Sequence, residues 1–168
     1  MKICVAGQGA FGQKHLDALK RIPGVEVTSL VGGNQTTTAE VAKKYGIPHF
    51  TGDLGEGIKR ADAVILTTPT QMHFKQSEQC MRAGKPVLIE IPVADRTEDA
   101  ERLVEISKET GVMAMAGHVR RFNPSHQWVR KRLKAGELHI QQMDVQTFFF
   151  RRTNMNALGK PRSWTDHL

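Results

Sequence analysis

The sequence predicts an α/β fold, a doubly wound parallel sheet followed by the start of an α+β unit. Short apolar runs suited to buried strands alternate with stretches whose apolar residues recur at helical spacing. A glycine-rich turn joins the first such run to the first helix. After residue 122 the alternation gives way to one helix and one long stretch of alternating character.

The first strand is Ile3-Cys4-Val5-Ala6, and Phe11 to Arg21 follows as a helix with Phe11, Leu16 and Leu19 on one side. Val25 to Val31 is the second strand. Thr38 to Tyr45 reads as a short helix that stops at Gly46, a natural residue just past a helix end. Pro48 to Thr51 is a short third strand. Ala63 to Thr67 is apolar almost throughout, as expected of a parallel strand covered on both faces. Gln71 to Ala83 is a helix ended by Gly84, and Pro86 to Glu90 is the fifth strand. A helix then runs from Asp95 to Thr110 and stops at Gly111, with Asp95 and Glu98 spaced as a capping box. Val112 to Ala116 is the sixth strand. Residues 1–122 thus hold the complement of one doubly wound domain of the Rossmann type.

In residues 123–168, Asn123-Pro124 opens a helix that carries Trp128, Val129 and Leu133 and closes at Ala135-Gly136. Leu138 to Phe150 reads as a long, exposed strand of an antiparallel sheet. One strand and a polar tail cannot bury a core alone. The expectation is therefore a piece of a longer enzyme, or a naturally shortened copy, whose second domain has only begun.

Composition narrows the function classes. The 168 residues contain 39% hydrophobic and 24% charged side chains, as in ordinary globular proteins. No run is long enough to cross a membrane, and with a strand-like run at the very start no signal peptide is expected. Two cysteines make no disulfide framework and suit a reducing cytoplasm. The net charge of +7 is spread along the chain, with denser patches at Arg130-Lys131-Arg132-Lys134 and Arg151-Arg152. No zinc-finger spacing or RNA-binding aromatic signature accompanies it, so anionic small molecules are the expected partners rather than nucleic acid. The first patch lies on a helix and reads as a solvated face. The seven histidines show no metal-ligand spacing, so no metal is expected.

The turn Gly7-Gln8-Gly9-Ala10-Phe11-Gly12 reads G-x-G-x-x-G between a strand and a helix, the opening of a dinucleotide-binding βαβ unit. Gly7 permits the tight turn, Gly9 lets a pyrophosphate approach the backbone, and Gly12 lets helix and strand pack closely. The helix N-terminus, at Ala10 and Phe11, offers free N–H groups and a positive dipole end to the phosphates. At the end of the second strand an acid would bind a ribose 2′-hydroxyl and select NAD. This chain has Val31-Gly32-Gly33-Asn34-Gln35-Thr36-Thr37 there, with no acid and no arginine. Small polar groups accommodate a 2′-phosphate, with Lys43 or Lys44 as candidate cations. NADP is therefore preferred, with NAD open.

Three more segments follow strands at the carboxyl edge of the sheet, where open α/β sheets bind ligands. They are Thr68-Pro69-Thr70-Gln71-Met72-His73, Glu90-Ile91-Pro92 and Gly117-His118-Val119-Arg120-Arg121-Phe122-Asn123-Pro124. An acid such as Glu90 at the end of a buried strand is costly unless paired or solvated, which favours a contact with cofactor or substrate. The order of these motifs resembles the glucose-fructose oxidoreductase, inositol dehydrogenase and rhizopine-catabolism (Gfo/Idh/MocA) family over essentially the whole chain.

That resemblance implies hydride transfer between a nicotinamide cofactor and a CH–OH or hemiacetal carbon. It implies cofactor contacts for Gly7, Gly9, Ala10, Phe11, Gly12, Thr68, Pro69, Thr70, His73 and Glu90. Many members carry lysine where this chain has Ile91. A narrower subgroup shares the isoleucine. It also resembles this chain at residues 141–147, at Phe149-Phe150-Arg151-Arg152, at Asn154-Met155-Asn156-Ala157 and at Arg162-Ser163-Trp164-Thr165-Asp166-His167-Leu168. Its members oxidise the cyclic hemiacetal of a dicarboxylated semialdehyde to a pyrone dicarboxylate with NADP, in protocatechuate 4,5-cleavage.

A dicarboxylate needs guanidinium forks, which match carboxylates bidentately. Glu90, Arg121 and Arg152 are the substrate-binding candidates, with Arg151 and Arg162 as further cations. His118 reads as structural or close to the cofactor. The resemblance places the proton acceptor after Leu168, so no catalytic base is assigned here, and it implies a homo-oligomer for the full-length enzyme. Two alternatives stay open: another sugar or polyol dehydrogenase, or a dinucleotide-binding module without catalysis.

Overall fold

The computed structural model describes residues 1–146. They fall into one unit spanning Met1–Gly117 and a second that begins at His118. In the first unit the strands are β1 Lys2–Ala6, β2 Glu26–Val31, β3 Phe50–Thr51, β4 Ala63–Leu66, β5 Val87–Ile89 and β6 Ala114–Ala116. All pair in parallel, in the order β3-β2-β1-β4-β5-β6. The chain winds outward from β1 to β3, then returns to β4 on the other side of β1. That reversal opens a crevice at the carboxyl ends of β1 and β4, the place where such sheets hold ligands.

The helices are α1 Ala10–Leu19, α2 Gln35–Tyr45, α3 Leu54–Ile58, α4 Thr70–Arg82 and α5 Thr97–Thr110. Side chains alternate across a strand, so β1 feeds two cores. Ile3 and Val5 join Leu16 and Leu19 of α1, Ala42 of α2, Leu30 and Ile65 on one face. Cys4 and Ala6 join Leu54 and Ile58 of α3, Cys80 and Met81 of α4, and Leu103 and Ile106 of α5 on the other. Each fully buried leucine or isoleucine contributes about 1.5–3 kcal/mol. Together they hold the carboxyl edge of the sheet rigid.

All six expected strands form. Two helices start more than one residue away from the place expected. α2 begins at Gln35 rather than Thr38, because Asn34 accepts the Thr37 N–H (3.0 Å) and caps the helix three residues earlier. α5 begins at Thr97 rather than Asp95, and the expected capping box does not form. Glu98 instead pairs with Arg96 (3.3 Å), which takes the carboxylate that would have reached back. Its own N–H and Arg96 together hold that carboxyl below the usual range.

The second unit carries a 3₁₀ turn, Val119–Phe122, and then α6, Pro124–Lys134. Asn123 caps α6 by accepting the Ser125 N–H (2.9 Å), and Pro124 takes the first turn, where its missing N–H is harmless. The expected strand over 138–150 is corrected: 138–146 forms no strand, and 147–150 lies outside the described residues. A strand needs a neighbouring backbone for its N–H and C=O groups, and none pairs with 138–146 among the described residues. Leu138, Ile140, Met143 and Val145 are exposed there.

Cys4 and Cys80 are free thiols in the core. Burial pushes the Cys4 thiol up to about 12 against a hydrogen bond with Ser29. Burial, reinforced by Cys4 nearby, pushes Cys80 up to about 12 as well. Both are expected to resist an aromatic disulfide reagent at pH 8 in the native protein and to react fully in denaturant; rapid native labelling would contradict their burial. In the unfolded chain thiols ionise from about pH 9, while in the fold they stay neutral. Their contribution to stability is therefore whole below pH 9 and lost as pH rises toward 12.

Candidate functional site

The glycine turn stands at the end of β1 with a separate reason for each glycine. Gly7 has φ +116°, a conformation that L side chains rarely adopt, and its N–H donates to Val31 O (2.8 Å). A Cβ on Gly12 would strike the Gly7 carbonyl oxygen, so α1 crosses the turn at backbone contact. Around Gly9 a Cβ would meet nothing within 4 Å, which leaves that side of the turn open. Thr67, just past β4, secures the turn: its hydroxyl lies 3.0 Å from Ala6 O and 3.2 Å from Gly7 O, and donates to these carbonyls. The N–H groups of Ala10, Phe11 and Gly12 open α1 and have no carbonyl one turn earlier in the helix to bond. Exposed Ala10 and Phe11 flank this end. Such an end suits an anion, with the helix dipole behind it.

At the end of β2, Gly32-Gly33-Asn34 leads into α2, and the Gln8 amide donates to the Thr37 hydroxyl (3.4 Å) across to the glycine turn. Lys43 and Lys44 are not the cations expected beside this edge. They fall in the last turn of α2, about 14–15 Å along the helix from Asn34. Lys44 instead donates to the Gln13 side chain on α1 (2.9 Å).

After β4 comes Thr68-Pro69-Thr70. The Thr68 hydroxyl donates to Gln76 (2.5 Å), Pro69 occupies the N-cap position of α4, and Thr70 is buried in its first turn. His73 is 1% exposed. Its Nε2 faces Thr68 O (2.8 Å) and its Nδ1 faces Pro92 O (2.7 Å). One ring thus links the turn after β4 to the turn after β5, where Ile91–Pro92 is cis. Both ring nitrogens thus face backbone carbonyls rather than the open crevice. Glu90, just past β5, is buried and pairs with His15 of α1 (Nε2 to Oε1, 2.7 Å).

In the second unit Arg120, Arg121, His126 and Arg130 line a cavity of about 270 Å³. His126 and Arg130 lie one turn apart on α6 and so share a face. His126 Nδ1 stands 3.1 Å from Arg120 O, so Nδ1 carries the proton. Four basic side chains around one cavity suit a carboxylate or phosphate. Arg130 is exposed, as expected of a solvated face, while also lining this cavity; Arg132 on the same helix pairs with Glu137 (3.2 Å) and stacks on Trp128. His118 precedes the 3₁₀ turn, and its carbonyl accepts the Arg121 N–H (3.0 Å). Arg151, Arg152, Arg162 and His167 lie outside the described residues.

Residues 1–118 match the family described as the oxidoreductase family with an NAD-binding Rossmann fold, GFO_IDH_MocA. The chain belongs to this family. Residues 124–168 match the C-terminal region of bacterial oxidoreductases. Among its curated relatives in the Gfo/Idh/MocA family is the 4-carboxy-2-hydroxymuconate-6-semialdehyde dehydrogenase of Sphingobium sp. (strain NBRC 103272 / SYK-6). The two are 59% identical over 170 residues, covering 100% of this chain and 54% of the relative. The scyllo-inositol 2-dehydrogenase (NAD(+)) of Bacillus subtilis is 30% identical over 82% of this chain and 41% of its own length. The chain thus spans about half the length of the curated relatives it matches. The UDP-N-acetylglucosamine 3-dehydrogenase structure from Acidithiobacillus ferrooxidans superposes with a TM-score of 0.73 at 30% identity, over 78% of this chain and 42% of that one. Apo scyllo-inositol dehydrogenase from Lactobacillus casei shares the fold with a TM-score of 0.77, at 23% identity over 82% of this chain and 42% of that one.

Sequence reading missed Thr67, His15 and His126. The contacts of Thr67 and His15 span 60 and 75 residues, so no local pattern announces them. His126 and Arg130 did carry a signal, their i, i+4 spacing four residues after the Arg121-Phe122 turn.

Proposed function

We propose that this chain is the cofactor-binding part, with the start of the substrate part, of an NADP-dependent dehydrogenase. Its substrate is the hemiacetal form of 4-carboxy-2-hydroxymuconate-6-semialdehyde and its product 2-pyrone-4,6-dicarboxylate. Residues 1–122 are the dinucleotide-binding domain and 123–168 begin the domain for substrate and oligomerisation. The observation that carries this reading is the 59% identity over the full chain to a dehydrogenase named for that substrate. The full-length enzyme is a cytoplasmic homo-oligomer, in keeping with two buried free thiols that suit a reducing compartment.

The cofactor, once bound, accepts a hydride from the carbinol carbon. The chain's own residues bind and orient. Gly7, Gly9 and Gly12 shape the turn, and the N–H groups of Ala10 and Phe11 face the pyrophosphate. Thr68, Pro69 and Thr70 line the nicotinamide side, with His73 holding their turn. Glu90 accepts hydrogen bonds from cofactor or substrate. Arg121 holds one substrate carboxylate through a bidentate pair and Arg152 the other. The absence of any acid among residues 32–37 removes the group that would repel a 2′-phosphate, which supports NADP over NAD.

Calorimetric titration of the 168-residue chain with NADPH and then NADH tests the cofactor. Tight NADPH binding with at least tenfold weaker NADH binding, about 1.4 kcal/mol, is expected. The reverse order would overturn the NADP assignment. Displacement of substrate from a complete enzyme by a pyrone or pyridine dicarboxylate tests the substrate, and failure to compete would favour a sugar or polyol instead.

A further inference from the structure

Glu90 is an acid that the sheet buries. Its N–H donates to Leu66 O (3.0 Å), continuing the β5 ladder onto β4, and the residue is 8% exposed. A buried carboxylate is unfavourable unless something pairs with it. His15 does so, and it lies on α1, six residues past Gly9. The contact joins the helix of the glycine turn to the end of β5, and β4 lies between β1 and β5 in the sheet. It therefore spans the crevice where the strand order reverses. Gly117, at the end of β6, leaves the carboxylate its room: a Cβ there would lie 3.4 Å from Oε1 and 3.2 Å from Ile89 O.

We propose that His15 is a positioning residue for the dinucleotide. It holds the Glu90 carboxylate in the crevice so that the carboxylate accepts a hydrogen bond from a ribose hydroxyl. This rests on the reading of the first unit as a dinucleotide site. An ionised carboxylate has about four lone-pair positions, so one bond to His15 leaves capacity for a hydroxyl. Bonds to a charged acceptor are about twice as strong as neutral ones, and they need the acceptor fixed. A loose carboxylate would also turn toward water and repel the pyrophosphate; the His15 N–H opposes both.

The test is titration of the 168-residue chain with NADPH and NADH, for wild type, H15A, H15Q, H15N, E90Q and H15A/E90Q, with the melting temperature of each. H15A is expected to weaken binding about tenfold, the scale of one charge-assisted hydrogen bond. H15Q is expected to stay within about threefold of wild type, because a glutamine amide nitrogen reaches the place of histidine Nε2. H15N falls short and behaves like H15A. In the E90Q background H15A costs less than about twofold more, as coupling through one group requires. If H15A does not fold, the contrast between H15Q and H15N carries the test. Binding within twofold of wild type for every His15 variant, whatever the melting temperatures, would overturn the proposal. So would losses for H15A and E90Q that simply multiply. A wild-type chain that binds neither dinucleotide would overturn the reading of the site itself, and only that arm reports on it.

Discussion

Gly12→Ala is expected to destabilise the fold by about 1–3 kcal/mol and to abolish dinucleotide binding, while Gly9→Ala keeps the fold and loses binding alone. The added Cβ at 12 falls on the Gly7 carbonyl oxygen, a backbone atom that cannot swing aside. Relief requires α1 to lift from the turn, which pulls Gly7 from its bond to Val31 O and from the Thr67 hydroxyl. Alanine is the better helix former by about 1 kcal/mol, and overpacking against fixed backbone outweighs it. At Gly9 the same methyl meets nothing within 4 Å, so the apo fold has no reason to respond. It would stand on the open side of the turn where a pyrophosphate must approach. Thermal melts read the first effect, a drop on the order of 5–15 °C for Gly12→Ala. Calorimetry with NADPH reads the second. A Gly12→Ala protein that melts with wild type would refute the packing argument, and a Gly9→Ala protein that binds normally would move the phosphates elsewhere.

His73→Leu is expected to cost on the order of 1–3 kcal/mol, with leucine filling most of the space. The size follows from what the ring does rather than from its volume. Its two nitrogens face two backbone carbonyls, Pro92 O and Thr68 O, in a pocket that leaves it 1% exposed, and the ring N–H donates to one of them. Without it that carbonyl loses its donor in surroundings that water reaches poorly, and an unmet acceptor of this kind costs about 1–3 kcal/mol. The turns after β4 and β5 are then no longer joined, so dinucleotide affinity is expected to fall with stability. Urea denaturation measures the first and NADPH titration the second. A midpoint unchanged from wild type would mean that the turns are held by other contacts.

Much of the fold was legible because its signals are local. The six strands are short β-branched or apolar runs, α2 and α5 end on Gly46 and Gly111, and Asn123-Pro124 opens α6. α3 was not legible, since Leu54-Gly55-Glu56-Gly57-Ile58 holds two glycines in five residues and propensity speaks against a helix. It forms because Asp53 accepts the Gly55 N–H (2.7 Å) and because Leu54 and Ile58 find the sheet. Gly57 is needed there: a Cβ would come within 2.7 Å of Cys4 Sγ and Val31 Cγ2. Alternation along 138–150 suggested a strand, yet alternation states only which faces a strand would have, and pairing needs a neighbour.

Local signals alone set the α/β class, the glycine turn between β1 and α1, and the places of Thr68 and Glu90 just past β4 and β5. Strand, turn and helix signals act over a few residues, and the edge of a parallel sheet follows from their order. What meets what at that edge depends on the folded sheet. Thr67 closes on the Gly7 carbonyl, His73 joins two turns, His15 takes the Glu90 carboxylate, and Lys43 and Lys44 end up a helix length from Asn34. Such contacts join residues that the sheet brings together across gaps of up to 75 positions, and a one-dimensional pattern holds no measure of that distance.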